Sequence, residues 1–318
     1  MKIGIPRAFL YYRYKYLWET FFEELGTEVI VSPETNKGII GSGVGHSIDE
    51  SCLASKIYLG HVAWLIGKCD YILIPRIASY GDDQIVCSKL WAAVDVVQNI
   101  FRGKEINVLD YNIDYAKLKT EFVAFMQIGR KLKKRRFSVL RAYFMAKQAE
   151  KMTNERRVSE QNELLLTKDK LKILILSHSY NIYDKFIGGP VLNIIKKQGC
   201  VPILAEIVER PAAVKKAKDI SPTLRWSYNQ ELLGALSLYK NHIDGIILLT
   251  AFPCGPDSLV NELIIRRTKD KPIISIVVDE LEGQAGLETR IESFVDIIKF
   301  RTEADKNEYN NGNGYVYS

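Results

Sequence analysis

The chain has 318 residues, 47% of them apolar and 26% charged, which gives a globular composition with room for two α/β domains, each with its own core. Its longest apolar runs, such as residues 62–66, are too short to cross a bilayer about 30 Å thick, and the opening Met1-Lys-Ile-Gly-Ile-Pro6 enters a strand pattern with no signal-peptide h-region, so a cytoplasmic protein without a membrane anchor is expected. The net charge of +6 is uneven: residues 117–157 hold thirteen Lys/Arg against three Asp/Glu, a local +10 that leaves −4 for the remainder. That run reads as a solvated helix face or as a surface for an anionic cofactor or partner; nucleic acid is not the expected ligand.

In chain order, residues 2–5 form an apolar strand ending at Pro6-Arg7, followed by a helix over about 12–25 that Gly26 closes. Residues 28–32 read as a second strand, rich in β-branched side chains. A helix over 52–66 carries Leu53, Ile57, Val62, Leu65 and Ile66 on a broad apolar face, 71–74 is a third strand, and 88–100 a further helix. From about 114 to 167 strand signals are missing and helix formers dominate. The alternation then resumes: strand 171–176, helix 189–198, a weaker strand 202–205, a helix near 230–239, strands 245–249 and 272–278, and a closing helix 287–299. Strands alternating with helices predict parallel sheets covered on both faces. The expected fold class is therefore α/β, with two Rossmann-like (flavodoxin-like) lobes at 1–110 and 169–300, a basic helical connector at 111–168, and a disordered tail at 301–318.

Ligands of open α/β sheets bind beyond the carboxyl ends of the strands. Here those ends carry Pro75-Arg-Ile-Ala-Ser79, Ser177-His-Ser-Tyr-Asn-Ile-Tyr-Asp184, Thr250-Ala-Phe-Pro-Cys-Gly-Pro-Asp-Ser258 and Asp279-Glu-Leu-Glu-Gly-Gln-Ala-Gly286. Five cysteines, an odd number, argue against a disulfide framework. Cys52 and Cys87 each stand where a loop gives way to a helix, where free amides and the dipole favour a thiolate. Cys254 lies in Pro-Cys-Gly-Pro at a strand's carboxyl end, and Gly255 leaves room for a bulky neighbour. Cys69 and Cys200 read as small buried residues. Spacing alone is a weak metal signal, because no Cys-x-x-Cys pair is present. His178 is the candidate general acid/base, its alternative being a histidine that shapes its loop. Glu280 and Glu282 read as proton shuttles or ligand-orienting groups, or else as salt-bridge partners of Arg290 or Arg76. His61, within a helix, reads as structural. Gly188-Gly-Pro190 suits an anion or a tight turn equally. Gly41-Ser-Gly-Val-Gly45 matches no dinucleotide fingerprint, and no G-x-x-x-x-G-K-[ST] loop is present.

Taken together, Met1-Lys-Ile-Gly-Ile-Pro-Arg-Ala8, Asp49-Glu-Ser-Cys52, Gly60-His-Val-Ala63, Ile74-Pro-Arg-Ile77, the segments 177–184 and 252–258, and Glu282-Gly-Gln-Ala-Gly-Leu-Glu-Thr-Arg290 resemble the 2-hydroxyglutaryl-CoA dehydratase D-component superfamily, which also contains benzoyl-CoA reductases. Within it the chain is most similar to the branch related to acyl-CoA dehydratase activases. The resemblance runs from Met1 to about Ile298 and is least in the basic connector. It implies one 4Fe–4S cluster between the lobes on three cysteines, which by position are Cys52, Cys87 and Cys254; many relatives place Pro where this chain has Ser88. It further implies an ATP-dependent activator or another low-potential electron donor as partner, a small acceptor such as an acyl-CoA, and association as a dimer. A dehydratase-like lyase or reductase component is the function so implied. The alternatives are a non-catalytic electron relay or activase partner, and a metal-free two-lobed small-molecule binding protein.

Overall fold

The computed structural model describes residues 1–81, 83–168, 170–281 and 285–312, with the backbone alone at 285 and over 305–312. The first lobe runs β1 (Lys2–Ile5), α1 (Tyr11–Glu24), β2 (Glu28–Val31), α2 (Lys37–Gly45), α3 (Leu53–Leu65), β3 (Tyr71–Gly81), β4 (Gln84–Ile85), α4 (Ser88–Trp91), α5 (Ala93–Ile100) and β5 (Val108–Asp114). A connector follows, with α6 (Glu121–Lys131) and the 31-residue α7 (Arg136–Leu166). The second lobe runs β6 (Lys172–Leu176), α8 (Ser179–Ile182), α9 (Gly188–Lys197), β7 (Val201–Leu204), α10 (Arg210–Ala217), α11 (Ser227–Tyr239), β8 (Gly245–Ala251), α12 (Gly255–Arg267), β9 (Ile273–Val278) and α13 (Ala285–Gly312).

Both sheets are wound alike. In the first, β2-β1-β3-β5 are parallel, with Ile3 opposite Val29 and Tyr71 and Leu73 opposite Leu109, while β4 adds an antiparallel pair at Ser79 and Ile85. In the second, the parallel order is β7-β6-β8-β9, with Leu174 opposite Ile203 and Ile246. Each lobe thus has the order second-first-third-fourth of a doubly wound Rossmann-like sheet. Its chain direction switches between β1 and β3, and between β6 and β8, which is where such folds open a crevice. Strands flanked by helices on both faces must be apolar throughout, and all seven residues of β8 are buried.

The expected strands are all present, and the structure adds elements that patterning does not disclose. β5 is a seven-residue strand at the start of the expected connector, burying Val108, Leu109, Tyr111 and Ile113 against β3, so the first lobe extends past residue 110. β3 continues to Gly81, well beyond the expected end at 74. The expected helix 88–100 is two helices meeting at Ala92. The closing helix runs to Gly312, through part of the expected tail; residues 313–318 lie outside the described residues.

The glycine run at 41–45 belongs to α2, a sequence of low helix propensity. Packing explains it. A Cβ on Gly43 would stand 1.9 Å from the Lys56 carbonyl oxygen and one on Gly60 2.0 Å from that of Ile39, so α2 and α3 touch backbone to backbone. The second lobe repeats the device, because a Cβ on Gly234 of α11 would stand 1.9 Å from the Ala213 carbonyl oxygen of α10.

One apolar core passes from the first lobe across the seam to one face of the second sheet, and a separate core fills that sheet's other face. Polar ties cross the seam as well. Arg13 makes a two-pronged pair with Glu231 at 2.7 and 3.1 Å, and Arg210 joins the same carboxylate at 2.9 Å. Asp184 accepts from Thr35 and Tyr12. Helix α7 spans both lobes. Val139, Ala142 and Ala146 bury its early turns in the first-lobe core, and Gln161 donates to the carbonyls of Leu204 and Ile207 and accepts from the Leu204 amide.

Candidate functional site

Cys52, Cys87 and Cys254 are the N-cap residues of α3, α4 and α12 respectively. Two come from the first lobe and one from the second, and the fold brings them together around Tyr180. Cys87 and Cys52 are electrostatic neighbours, as are Cys52 and Cys254, and all three act on the Tyr180 phenol. The seam is closed there by the Leu53 amide, the first of α3, which donates to the Phe252 carbonyl at 2.7 Å and ties the Cys52 and Cys254 segments to each other.

No thiol makes a full cap hydrogen bond. Burial raises the Cys52 thiol above its ordinary value, and Cys87 adds to this; the Ser55 amide and Lys89 work the other way. Burial, followed by the neighbouring Asp257 carboxylate, raises Cys254 much further, although the Asp257 amide favours its charged form. Partly buried thiolates at helix N-termini are costly as free anions and become favourable when an electrophile binds them. Lys89 reaches from α4 to the Ser51 hydroxyl at 3.3 Å, which sets a cation beside the group. Cys69 sits under β1, where it donates to the Leu65 carbonyl, and Cys200 is buried beside Gln198. A Cβ on Gly255 would meet nothing within 4 Å, so the space beside Cys254 is open.

Among the described residues, no group of three His, Cys, Asp or Glu side chains is set to hold a metal ion. Ligands of one ion must stand within roughly 4 Å of each other, whereas a four-iron cluster interposes its own iron and sulfide between the thiolates. Three thiols on three separate helix starts have the number and kind of ligands that such a cluster would take from the protein.

His178 follows β6 at the switch point. Its Nε2–H donates to Asp257 Oδ1 at 2.8 Å, and its ring stacks on Tyr180 with centroids 5.0 Å apart. Asn229 donates to the same Asp257 oxygen at 2.9 Å. Burial penalises the Asp257 charge, but His178, Asn229 and the Cys254 thiol outweigh it, and the carboxyl is held below its ordinary value. One carboxylate therefore orients a candidate acid/base, an amide and a candidate ligand. Phe9, in the left-handed region at φ 48°, packs on Tyr58 and Tyr180. The buried Tyr58 hydroxyl and both amide atoms of Asn181 have no hydrogen-bond partner among the described residues.

Glu280 pairs across the seam with the buried Lys56, one turn along α3 from Cys52, and not with Arg290 or Arg76. Arg290 donates to the Ser275 carbonyl, and Arg76 faces Asp95 and Asp110. Glu282 lies outside the described residues. His61 is buried between the hydroxyls of Ser32 and Thr35 at 2.8 and 3.0 Å, remote from the thiols in its bonding. At Gly188-Gly-Pro190 the amides of Gly188 and Gly189 are taken by the Asp184 carbonyl, and a Cβ on Gly188 would strike Ile182, so the tight turn accounts for the motif.

Asp257, Asn229, Lys89, Tyr180 and Lys56 are the members that sequence reasoning overlooks. Only Asp257 carries a local signal: Cys254-x-x-Asp257 has the spacing of a capping box. A cavity of about 760 Å³, lined by Arg13, Lys147, Arg157, Arg210 and several glutamates, lies under α7. A more apolar one of about 810 Å³ has Cys87, Val86, Trp91, Trp226 and Pro256 in its walls, so it borders Cys87.

The fold and site define a two-lobed, doubly wound α/β protein with convergent thiols at the lobe seam. Residues 2–208 match the family model described as a CoA enzyme activase uncharacterised domain (DUF2229), and the chain belongs to that family. The match includes Cys52, Cys87 and His178 and ends before Cys254 and Asp257. Comparison with curated proteins finds no match. No described helix is long and apolar enough to cross a membrane.

Proposed function

We propose that Cys52, Cys87 and Cys254 hold one 4Fe–4S cluster at the seam and that the chain is a dehydratase- or reductase-like component acting on a small acceptor such as an acyl thioester, supplied with electrons by an activator partner. The observation that carries this reading is the convergence of three N-cap cysteines from both lobes around Tyr180. When bound, such a cluster supplies single-electron transfer and, with three protein ligands, an open iron as Lewis acid. The family membership supports a working relationship with CoA enzymes.

The chain's own residues do the rest. Asp257 holds His178 and Asn229 in place, so that a proton can be held or moved at the imidazole. Lys89 places positive charge near the thiolates. The apolar cavity beside Cys87 supports an enzyme over a plain electron relay, because a relay needs no space of about 810 Å³ next to its ligands.

The test is anaerobic purification or reconstitution, followed by visible absorption and by iron and sulfide assay. Brown protein with about four irons per chain is expected. Cys52→Ala, Cys87→Ala and Cys254→Ala should each lose colour and iron, while Cys69→Ala and Cys200→Ala keep both. A colourless parent sinks the cluster, and colour that survives in a member of the first set removes that residue from the ligands.

A further inference from the structure

A chain of tyrosine hydroxyls crosses the seam. Tyr80, near the end of β3, is hydrogen-bonded through its hydroxyl to that of Tyr14 on α1 and, at 2.8 Å, to that of Tyr228 on α11. Either oxygen of each pair can donate, so each link can run in both directions. Tyr14 and Tyr80 stand in the wall of the charged cavity of about 760 Å³ under α7. Tyr228 lies at the other end of the chain, its ring edge-on to the His178 imidazole with centroids 6.3 Å apart. Tyr228 and His178 both line a void of about 10 Å³, together with Tyr180, Arg13 and Glu231. A void of that size takes about one water molecule, and polar walls suit it.

The charges around the chain keep its oxygens neutral and in line. The Arg13 guanidinium lies over the rings of Tyr14 and Tyr228, 5.6 and 5.0 Å from their centroids, and that of Arg210 lies 4.2 Å from the centroid of Tyr80. Both guanidiniums are fixed by the one Glu231 carboxylate. Burial holds the Tyr80 and Tyr228 phenols well above their ordinary value, so neither stands as a phenolate. A proton then crosses only if each oxygen takes one as it gives up another, as hydrogen-bonded hydroxyls can do. His178 has need of such a route. It is buried, Tyr180 covers one face of its ring, and its Nε2 is committed to Asp257.

We propose that Tyr80 and Tyr228 relay protons between the cavity under α7 and the His178 imidazole through one water in the void, a role that rests on His178 being the acid/base of the proposed function. In the charging direction Tyr80 takes a proton from the cavity and passes its own to Tyr228. Tyr228 passes its own to the water, and the water gives one to His178 Nδ1. Each oxygen ends with the protons it began with, the imidazole gains one, and no electron moves. The reverse sequence discharges the ring. Tyr14 holds the Tyr80 hydroxyl in place.

Relaxation dispersion of ring-labelled histidine reads how fast the His178 imidazole gains and loses its proton, with His178→Gln assigning the signal. The full chain is used before any iron is added, so a colourless parent, which sinks the cluster, leaves this measurement untouched. Tyr80→Phe and Tyr228→Phe keep the rings and delete one oxygen each, and each should slow the exchange by about tenfold or more. Tyr239→Phe, which removes a buried hydroxyl from the same α11 where it donates to the Ile207 carbonyl at 2.8 Å, should keep the parent rate. An unchanged rate in Tyr80→Phe overturns the relay. Faster exchange overturns it too, since the hydroxyls would then only seal the ring from water. Equal slowing in Tyr239→Phe, or a parent imidazole that exchanges no proton, has the same consequence.

Discussion

The two lobes share a strand order and a way of pressing two helices together, yet they contribute differently to the site. The second lobe works from its switch point: His178 follows β6, and Cys254 and Asp257 follow β8. The first lobe supplies Cys52 and Cys87 from helix starts on either side of its long β3, and its own switch-point loop supplies Phe9, a packing residue. Their cores differ too. Trp18, Phe21, Phe22, Tyr111 and Phe125 fill the first lobe with rings, whereas the core on the far face of the second sheet is largely aliphatic. A doubly wound sheet therefore fixes where a crevice opens without fixing which lobe arms it.

That comparison can be tested at four levels. The largest effect is expected at the paired helix crossings. Gly43→Ala and Gly234→Ala each drive a methyl group into backbone that cannot yield, and each should cost about 3 kcal/mol or more. Equal losses in thermal or urea unfolding would mean that the lobes melt as one body; a loss confined to one lobe's signal would separate them.

Next is the seam itself. Glu231→Gln leaves Arg13 largely buried with its charge uncompensated and should cost about 3 kcal/mol. Unfolding that became biphasic would show that this pair couples the lobes.

His61 offers a pH test specific to the first lobe. Burial, then the nearby Arg7, lowers its pKa to about 3 from the ordinary 6.5. Above pH 6.5 the ring is neutral both folded and unfolded, and its environment contributes in full. As pH falls from there toward 3 the unfolded chain takes up a proton that the folded one excludes, so stability drops by up to about 1.4 kcal/mol per pH unit. Urea titrations of His61→Gln should lack that part of the acid slope; an unchanged slope would assign it to other groups.

The smallest effect tests the opposite expectation. Lys185 and Glu34 bridge the lobes at 2.7 Å, but both are solvated. Lys185→Ala should leave the unfolding midpoint unmoved, and a clear drop would mean that surface charge also holds the lobes together.

How much of this is legible in the sequence varies by element. The apolar strands 2–5, 171–176 and 245–249 stand out because parallel strands buried on both faces must be apolar throughout. β5 escapes because Asp110, Asn112 and Asp114 interrupt its pattern on a strand whose alternate positions bury Leu109, Tyr111 and Ile113. α2 escapes because glycines chosen for close approach look like a loop until the partner helix is known. The loop-to-helix positions of Cys52, Cys87 and Cys254 follow from local sequence, but their convergence does not, because nothing nearby in the chain encodes it. Asp257 meets His178 across 79 residues, and Glu280 meets Lys56 across 224, so no window of sequence contains either pair.

Helix α7 has a mechanical consequence. Two lobes joined by one linker form a clamshell, which admits ligands by swinging open. Here a rigid strut lies along the first lobe and docks by Gln161 on the edge strand of the second, while the Arg13–Glu231 pair rivets the seam between them. The molecule is braced like a triangular truss, and both contacts oppose such swinging. The cavity beside Cys87, with Trp91 and Trp226 in its wall, would then stand open without a hinge motion.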